Sequence, residues 1–221
     1  MKNLPNVDLA LIDCVNPEKA LAVIDHCSKM FNFGNVKLFT HVELDVPDHI
    51  QLIKIDNIDT IEKYSDFCLR LNDYINNDFL LLIQIDGFIL NPEKWDDNFL
   101  CFDFVGAPFP MYFGEPNDIG NGGFCLRSKF FLEYASQFQT TNGAPEDRFL
   151  VQHNYDKALD YGIIFPPTEI AFRFSAENYL PHHPVKAFDA NYHFGWHGKH
   201  LYDFVSTQKP ELNNLVSYLK S

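Results

Sequence analysis

The sequence predicts an α/β fold: a central, mostly parallel β-sheet flanked by helices, running into a loop-rich C-terminal part. Three observations carry this. Residues 7–14 (VDLALIDC) and 79–85 (FLLLIQI) are apolar almost without alternation, as strands are when both faces of a sheet are covered. Amphipathic stretches at helical spacing lie between such runs. Strands that alternate with helices in this way build parallel sheets.

The first strand, 7–14, is followed by Asn16 as N-cap and Pro17 as first helical residue. Ala20, Val23, Ile24, Cys27, Met30 and Phe31 then recur on one helical stripe, and Gly34 closes the unit. Residues 36–42 read as a second strand and 49–55 as a third. Asp59 with Glu62 three residues on has the form of a capping box, opening a helix with Tyr64, Phe67, Cys68, Leu71, Tyr74 and Ile75 on one stripe. The fourth strand is 79–85. After Leu90 come Pro- and Gly-rich loops with short elements, then helices near 129–138 and from Pro145. Residues 165–200 are aromatic, rich in His and weakly periodic. Residues 210–219 form a terminal amphipathic helix.

A chain of 221 residues fits one domain. The expected organisation is a nucleotide-binding half over about 5–90, an acceptor and catalytic half over about 91–205, and the helix at 210–219. Apolar residues make up 46% of the chain, enough to build a core without staples. The net charge of −13 repels phosphate backbones and anionic lipid surfaces, so nucleic acid is not an expected partner. An acidic protein that holds a diphosphate needs local positive charge, commonly a divalent cation. The five cysteines, at 14, 27, 68, 101 and 125, are odd in number and form no C-x-x-C. That pattern suits a reducing compartment. Residues 1–5 carry no signal-peptide apolar core, and no apolar run reaches the ~20 residues of a membrane span. A cytoplasmic location is therefore expected.

Four short motifs could carry chemistry. Gln84-Ile85-Asp86-Gly87 places a carboxylate just past a buried strand, at the sheet edge where α/β ligands bind. There it holds Mg²⁺ or Mn²⁺, or simply caps a turn. Gly120-Asn121-Gly122-Gly123 does not have the dinucleotide or P-loop spacing, which leaves a substrate-facing turn or a tight hairpin. Pro145-Glu146-Asp147-Arg148 puts two carboxylates in a first helical turn. One is a candidate general base, although the helix dipole alone favours acids there. Residues 191–200 hold His193, His197 and His200 with Trp196 and two glycines. A neutral imidazole beside a carboxylate suits Mn²⁺-class metals, Trp196 offers a stacking face, and the alternative is a structural loop. The missing Glu after His193 excludes a zinc-protease H-E-x-x-H.

Together these motifs resemble the DUF5672 family. LLIQIDGFIL (81–90), FDFVGAPF (102–109), IGNGGFCLRSK (119–129), PEDRF (145–149), FPPTEIAFRFSAE (165–177) and FGWHG (194–198) occur in the family's order, with Tyr64 to Phe67 before them. The resemblance spans roughly residues 5–200. It implies a glycosyltransferase of the GT-A fold, using a nucleotide diphosphate sugar, UDP-linked by expectation, and a glycan acceptor in polysaccharide synthesis. Gln84 and Asp86 match the family's D-x-D, with His197 as a further metal ligand. The Gln removes one carboxylate from the Mn²⁺ or Mg²⁺ site. Asp147, with Glu146 beside it, matches the base of inverting enzymes. The resemblance further places Asn121, Gly122 and Gly123 near the donor sugar, and Asp13 and Tyr64 near the nucleotide. Trp196 and Arg127 are expected at the acceptor, and Lys199 or Arg127 at the leaving diphosphate. Two rival readings use the same residues: a metal-dependent hydrolase of a phosphate or glycosidic bond, and a non-catalytic nucleotide-sugar-binding module.

Overall fold

A computed structural model describes residues 2–109, 118–178 and 188–221. Two short strands, β1 (Lys2–Leu4) and β3 (Phe31–Phe33), pair in parallel as a small side sheet. The other early elements are β2 (Val7–Ile12), α1 (Pro17–Ser28), β4 (Val36–Thr40), β5 (Gln51–Lys54), α2 (Ile61–Cys68) and β6 (Phe79–Ile83). Beyond them lie β7 (Phe104–Val105), β8 (Phe124–Ser128), α3 (Lys129–Ala135), α4 (Glu146–Arg148), α5 (Tyr155–Tyr161) and α6 (Thr168–Phe174). The chain closes with β9 (Ser175–Ala176), β10 (Gly195–Trp196), α7 (Tyr202–Gln208) and α8 (Asn213–Lys220).

Six strands form the central sheet in the order β5-β4-β2-β6-β8-β7. The first four run parallel, and β8 is antiparallel to both β6 and β7. Leu9 stands opposite Leu81 and Leu11 opposite Ile83, and these four side chains enter the core layer that holds α1 and the C-terminal aromatics. Their neighbours Ala10, Ile12, Leu80 and Leu82 enter the other layer, with α2 and α3. Side chains alternate across a strand, so the continuous apolar runs feed two cores at once. That is the fold class expected from the sequence.

Several boundaries differ from expectation, each for a local reason. The strand expected at 7–14 ends at Ile12 because Asp13 turns to accept from the amides of Val15 (2.7 Å) and Asn16 (2.6 Å). Asn16 makes no side-chain cap itself. The second helix is capped by Thr60, whose hydroxyl accepts from Lys63 N, while Asp59 pairs with Lys63 Nζ at 2.6 Å. The expected capping box is therefore absent. That helix stops at Cys68, and its stripe continues through the 3₁₀ turn Leu71–Asp73. Past α4 the backbone widens into the π turn Phe149–His153 before α5. The terminal helix begins with the 3₁₀ turn Pro210–Leu212. Among the described residues, no helix is long and apolar enough to cross a membrane.

Candidate active site

Strand β6 ends where the chain turns sharply: Gln84 and Gly87 exchange backbone hydrogen bonds at 3.1 Å each. The turn presents Gln84 and Asp86 at the carboxyl end of the parallel strands, the edge at which such sheets bind ligands. The C-terminal segment is tied onto it, since Gly198 N donates to Asp86 O at 2.7 Å and His197 N to Ala176 O at 2.9 Å. A Cβ on Gly87 would stand 2.8 Å from Gly123 O and 2.9 Å from the His197 ring. Three segments distant in sequence meet at this glycine, and only the absence of a side chain lets them.

A cleft of about 410 Å³ opens beside the turn, lined by Asp13, Asn16, Thr60, Tyr64, Gln84, Asp86 and Lys199 among others. Four residues expected at the nucleotide (Asp13, Tyr64, Gln84 and Asp86) thus share one cavity wall. Asp13 spends one carboxylate oxygen on its own turn. Lys199 supplies the cleft with a cation.

His197 stands beside Gln84 and Asp86 but does not itself line the cleft. Its Nδ1 donates to Glu177 Oε1 at 3.2 Å, and its Nε2 lies 3.1 Å from Gln84 Oε1 and 3.7 Å from Asp86 Oδ1. Burial works against protonation of the ring, but the Glu177 hydrogen bond and the charges of Asp86, Glu177 and Asp147 outweigh it, and the pKa is raised above 6.5. Glu177 lies inside a quoted motif, yet nothing in its spacing marks it as the partner of a residue twenty positions on; the β9–β10 pairing brings the two together.

The donor set Asp86, His197 and Gln84 fits a hard divalent cation in ligand type. His197 Nε2 lies within 3.7 Å of an oxygen of each of the other two. Gln84 contributes a neutral oxygen, so the set carries one charge fewer than a paired-carboxylate site. Among the described residues, no three His, Cys, Asp or Glu side chains converge into a ligand group.

Behind His197 lies the Gly120–Gly123 turn. A Cβ on Gly123 would fall 2.1 Å from His197 Nε2, and one on Gly122 would fall 2.5 Å from Glu146 Oε1. Gly123 N donates to Asn121 Oδ1 at 3.0 Å, closing the turn. Gly122 N donates to Asp147 Oδ2 at 2.9 Å. Asp86 and His197 are therefore joined through this turn to Asp147. The Asp147 carboxyl is pushed up to about 7, by burial first and the neighbouring Glu146 charge second, against the Gly122 and Arg148 amides that favour its ionised form.

Three expectations need correction. Trp196 has no exposed surface; its ring packs edge-on against Phe88 and Tyr202, so it offers no face to an acceptor sugar. Arg127 is equally buried and donates through Nη2 to Glu146 Oε1 at 2.8 Å. It is no free cation for acceptor or diphosphate. Glu146, 3% exposed, is spoken for by the same pair and is not an open base. The histidines also diverge: His193 is buried against Phe172 O, and His200 donates to Glu177 O. Residues 110–117 and 179–187 lie outside the described residues.

In overall shape the chain is similar to the crystal structure of galactosyltransferase LgtC in complex with donor and acceptor sugar analogues. Identity is 12%, coverage is 97% of this chain and 96% of that one, and the TM-score is 0.48. No curated protein matches the chain. The family described as "Protein of unknown function (DUF5672)" matches residues 49–197, a span that takes in the first three motifs and the fourth as far as His197, and is shorter at its start than the resemblance from about residue 5. The chain belongs to the DUF5672 family.

Proposed function

We propose that this chain is a GT-A-like glycosyltransferase, moving a sugar from a UDP-linked donor to a hydroxyl of a glycan acceptor with inversion. The observation that carries the reading is the continuity from the Asp86–Lys199 cleft, through His197 and the Gly122–Gly123 turn, to Asp147. The cleft has the position and the mixed charge a nucleotide diphosphate needs, and the turn separates it from a single carboxylate with a raised pKa.

In this mechanism Asp147 accepts the proton of the acceptor hydroxyl, whose oxygen attacks the anomeric carbon. The bond from that carbon to the diphosphate oxygen breaks, and the electron pair leaves with the diphosphate. Lys199 stabilises the charge that develops there. A Mg²⁺ or Mn²⁺ ion, when bound by Asp86, His197 and Gln84, would supply further positive charge to the same oxygens. A carboxylate titrating near neutrality is suited to take a proton at physiological pH, and at about 7 Asp147 meets that condition.

Asp147→Asn tests the assignment. Turnover is expected to fall at least ~10²-fold, as for a lost general base, with UDP affinity unchanged. Wild-type turnover in that variant removes Asp147 from the reaction. The neutral Gln84 favours a second reading, a nucleotide-sugar-binding module. Under it, UDP binds but no acceptor is glycosylated. A hydrolase would instead break down the donor at full rate with water as sole acceptor.

A further inference from the structure

We propose that Arg127 is a positioning residue that, through Glu146, holds the Asp147 carboxylate against the Gly122 amide. The inference rests on the transferase reading for its catalytic consequence, but not for its geometry.

Arg127 sits on β8, next to β6 in the sheet, and has no exposed surface. Its Nη2 reaches Glu146, its Nε donates to Cys125 Sγ at 3.2 Å, and its guanidinium lies 5.7 Å from the centre of the Phe104 ring. Nη1 is buried without a hydrogen-bond partner. A buried ion pair with an orphaned donor is an expensive way to fill space, and an apolar pair of the same size would pack as well or better. In some proteins such features are retained because they fix a geometry.

The geometry to be fixed is the start of α4. This helix has three residues, its N-cap is Pro145 with no side-chain cap, and it runs at once into the π turn. It has little rigidity of its own. Glu146 is its first residue, so an arginine rooted in the central sheet anchors that end. Gly122 is wedged between the parts: a Cβ there would stand 2.5 Å from Glu146 Oε1, 3.1 Å from Asp147 Cβ and 3.3 Å from Arg127 Nη2. The Gly122 amide that Asp147 accepts from therefore rests on the ion pair itself. If the pair shifts, the seat of Asp147 shifts with it. A displacement of about 1 Å at a reacting group costs up to ~10²-fold in rate.

The test uses the 221-residue chain and two variants. Arg127→Met with Glu146→Met replaces the ion pair by an apolar pair of similar length, and Arg127→Lys keeps the charge but loses the planar fork. Three quantities are read: melting temperature, hydrogen exchange at the Gly122 amide, and kcat against donor KM. The double variant is expected to melt close to wild type. Its Gly122 amide should exchange at least about tenfold faster, and its kcat should fall at least about tenfold with donor KM unchanged. Arg127→Lys is expected to shift exchange and kcat in the same direction by several-fold, and it decides the matter if the double variant does not fold. Wild-type exchange at Gly122 in whichever variant folds overturns the inference, because the pair would then be a structural filler. Faster exchange with unchanged turnover upholds the positioning and sinks the role of Asp147, so the two failures are distinct. The exchange measurement needs no substrate and decides the geometry by itself.

Discussion

At the residue scale the proposed chemistry turns on Asp147. Its carboxyl stands at about 7 in the folded chain against an ordinary 3.8. The folded protein therefore binds more protons than the unfolded chain between those values, and stability contributed by this group falls as pH rises through that window. Asp147→Asn should flatten that decline, so its melting temperature gains on wild type between pH 4 and 7; parallel curves contradict the raised pKa. In wild type, turnover should climb with pH through about 7 as the base form appears. Gly123→Ala offers a steric test. Its Cβ would sit 2.1 Å from His197 Nε2, so the ring must move. Overpacking of this kind costs about 1–3 kcal/mol, and calorimetry should read a loss of that size. Much of this was legible in the residues. Asp86 follows a buried strand, and the glycines of 120–123 announce a close approach. Arg127 and Trp196 were not legible, because a sequence does not say which charges find a buried partner. Arg127 is tolerated inside only because Glu146, nineteen positions on, comes to meet it.

At the scale of elements, β2 and β4 are joined by more than their ladder. Asp8, fully buried, accepts from Asn35 (2.8 Å), Asn77 (2.6 Å) and Lys37 Nζ (3.1 Å). Asp8→Ala leaves the buried Lys37 charge with only the Tyr74 carbonyl, to which its Nζ donates at 2.7 Å, a loss of about 3–5 kcal/mol by the general experience of broken buried pairs. Urea unfolding should register it as a lower midpoint, and an unchanged midpoint would show that the Tyr74 carbonyl alone is enough to hold Lys37. The strands and first helices could be read because long apolar runs and 3.6-residue stripes outweigh local noise. The ends could not: Asp13 and Thr60 compete with their neighbours as caps, and only the turn geometry chooses between them. β7, β9, β10 and α7 escaped because short elements are set by tertiary pairing rather than by pattern; β9 and β10 together hold four residues, and Gly195 and Trp196 find Ser175 and Ala176 across the fold.

Across the whole molecule, the two core layers hold a sheet whose carboxyl rim gathers Asp13, Tyr64, Gln84, Asp86 and Lys199 in one cleft. The net charge of −13 makes any anionic ligand depend on local cations, which gives Lys199 and an Asp86-bound metal their weight. Isothermal titration of UDP in the presence of Mn²⁺, on wild type and on Asp86→Ala, tests this most directly. Saturable binding to wild type is expected, with affinity at least about tenfold weaker in the variant, about 1.4 kcal/mol. Equal affinity in the two proteins, or no binding to wild type, would contradict it.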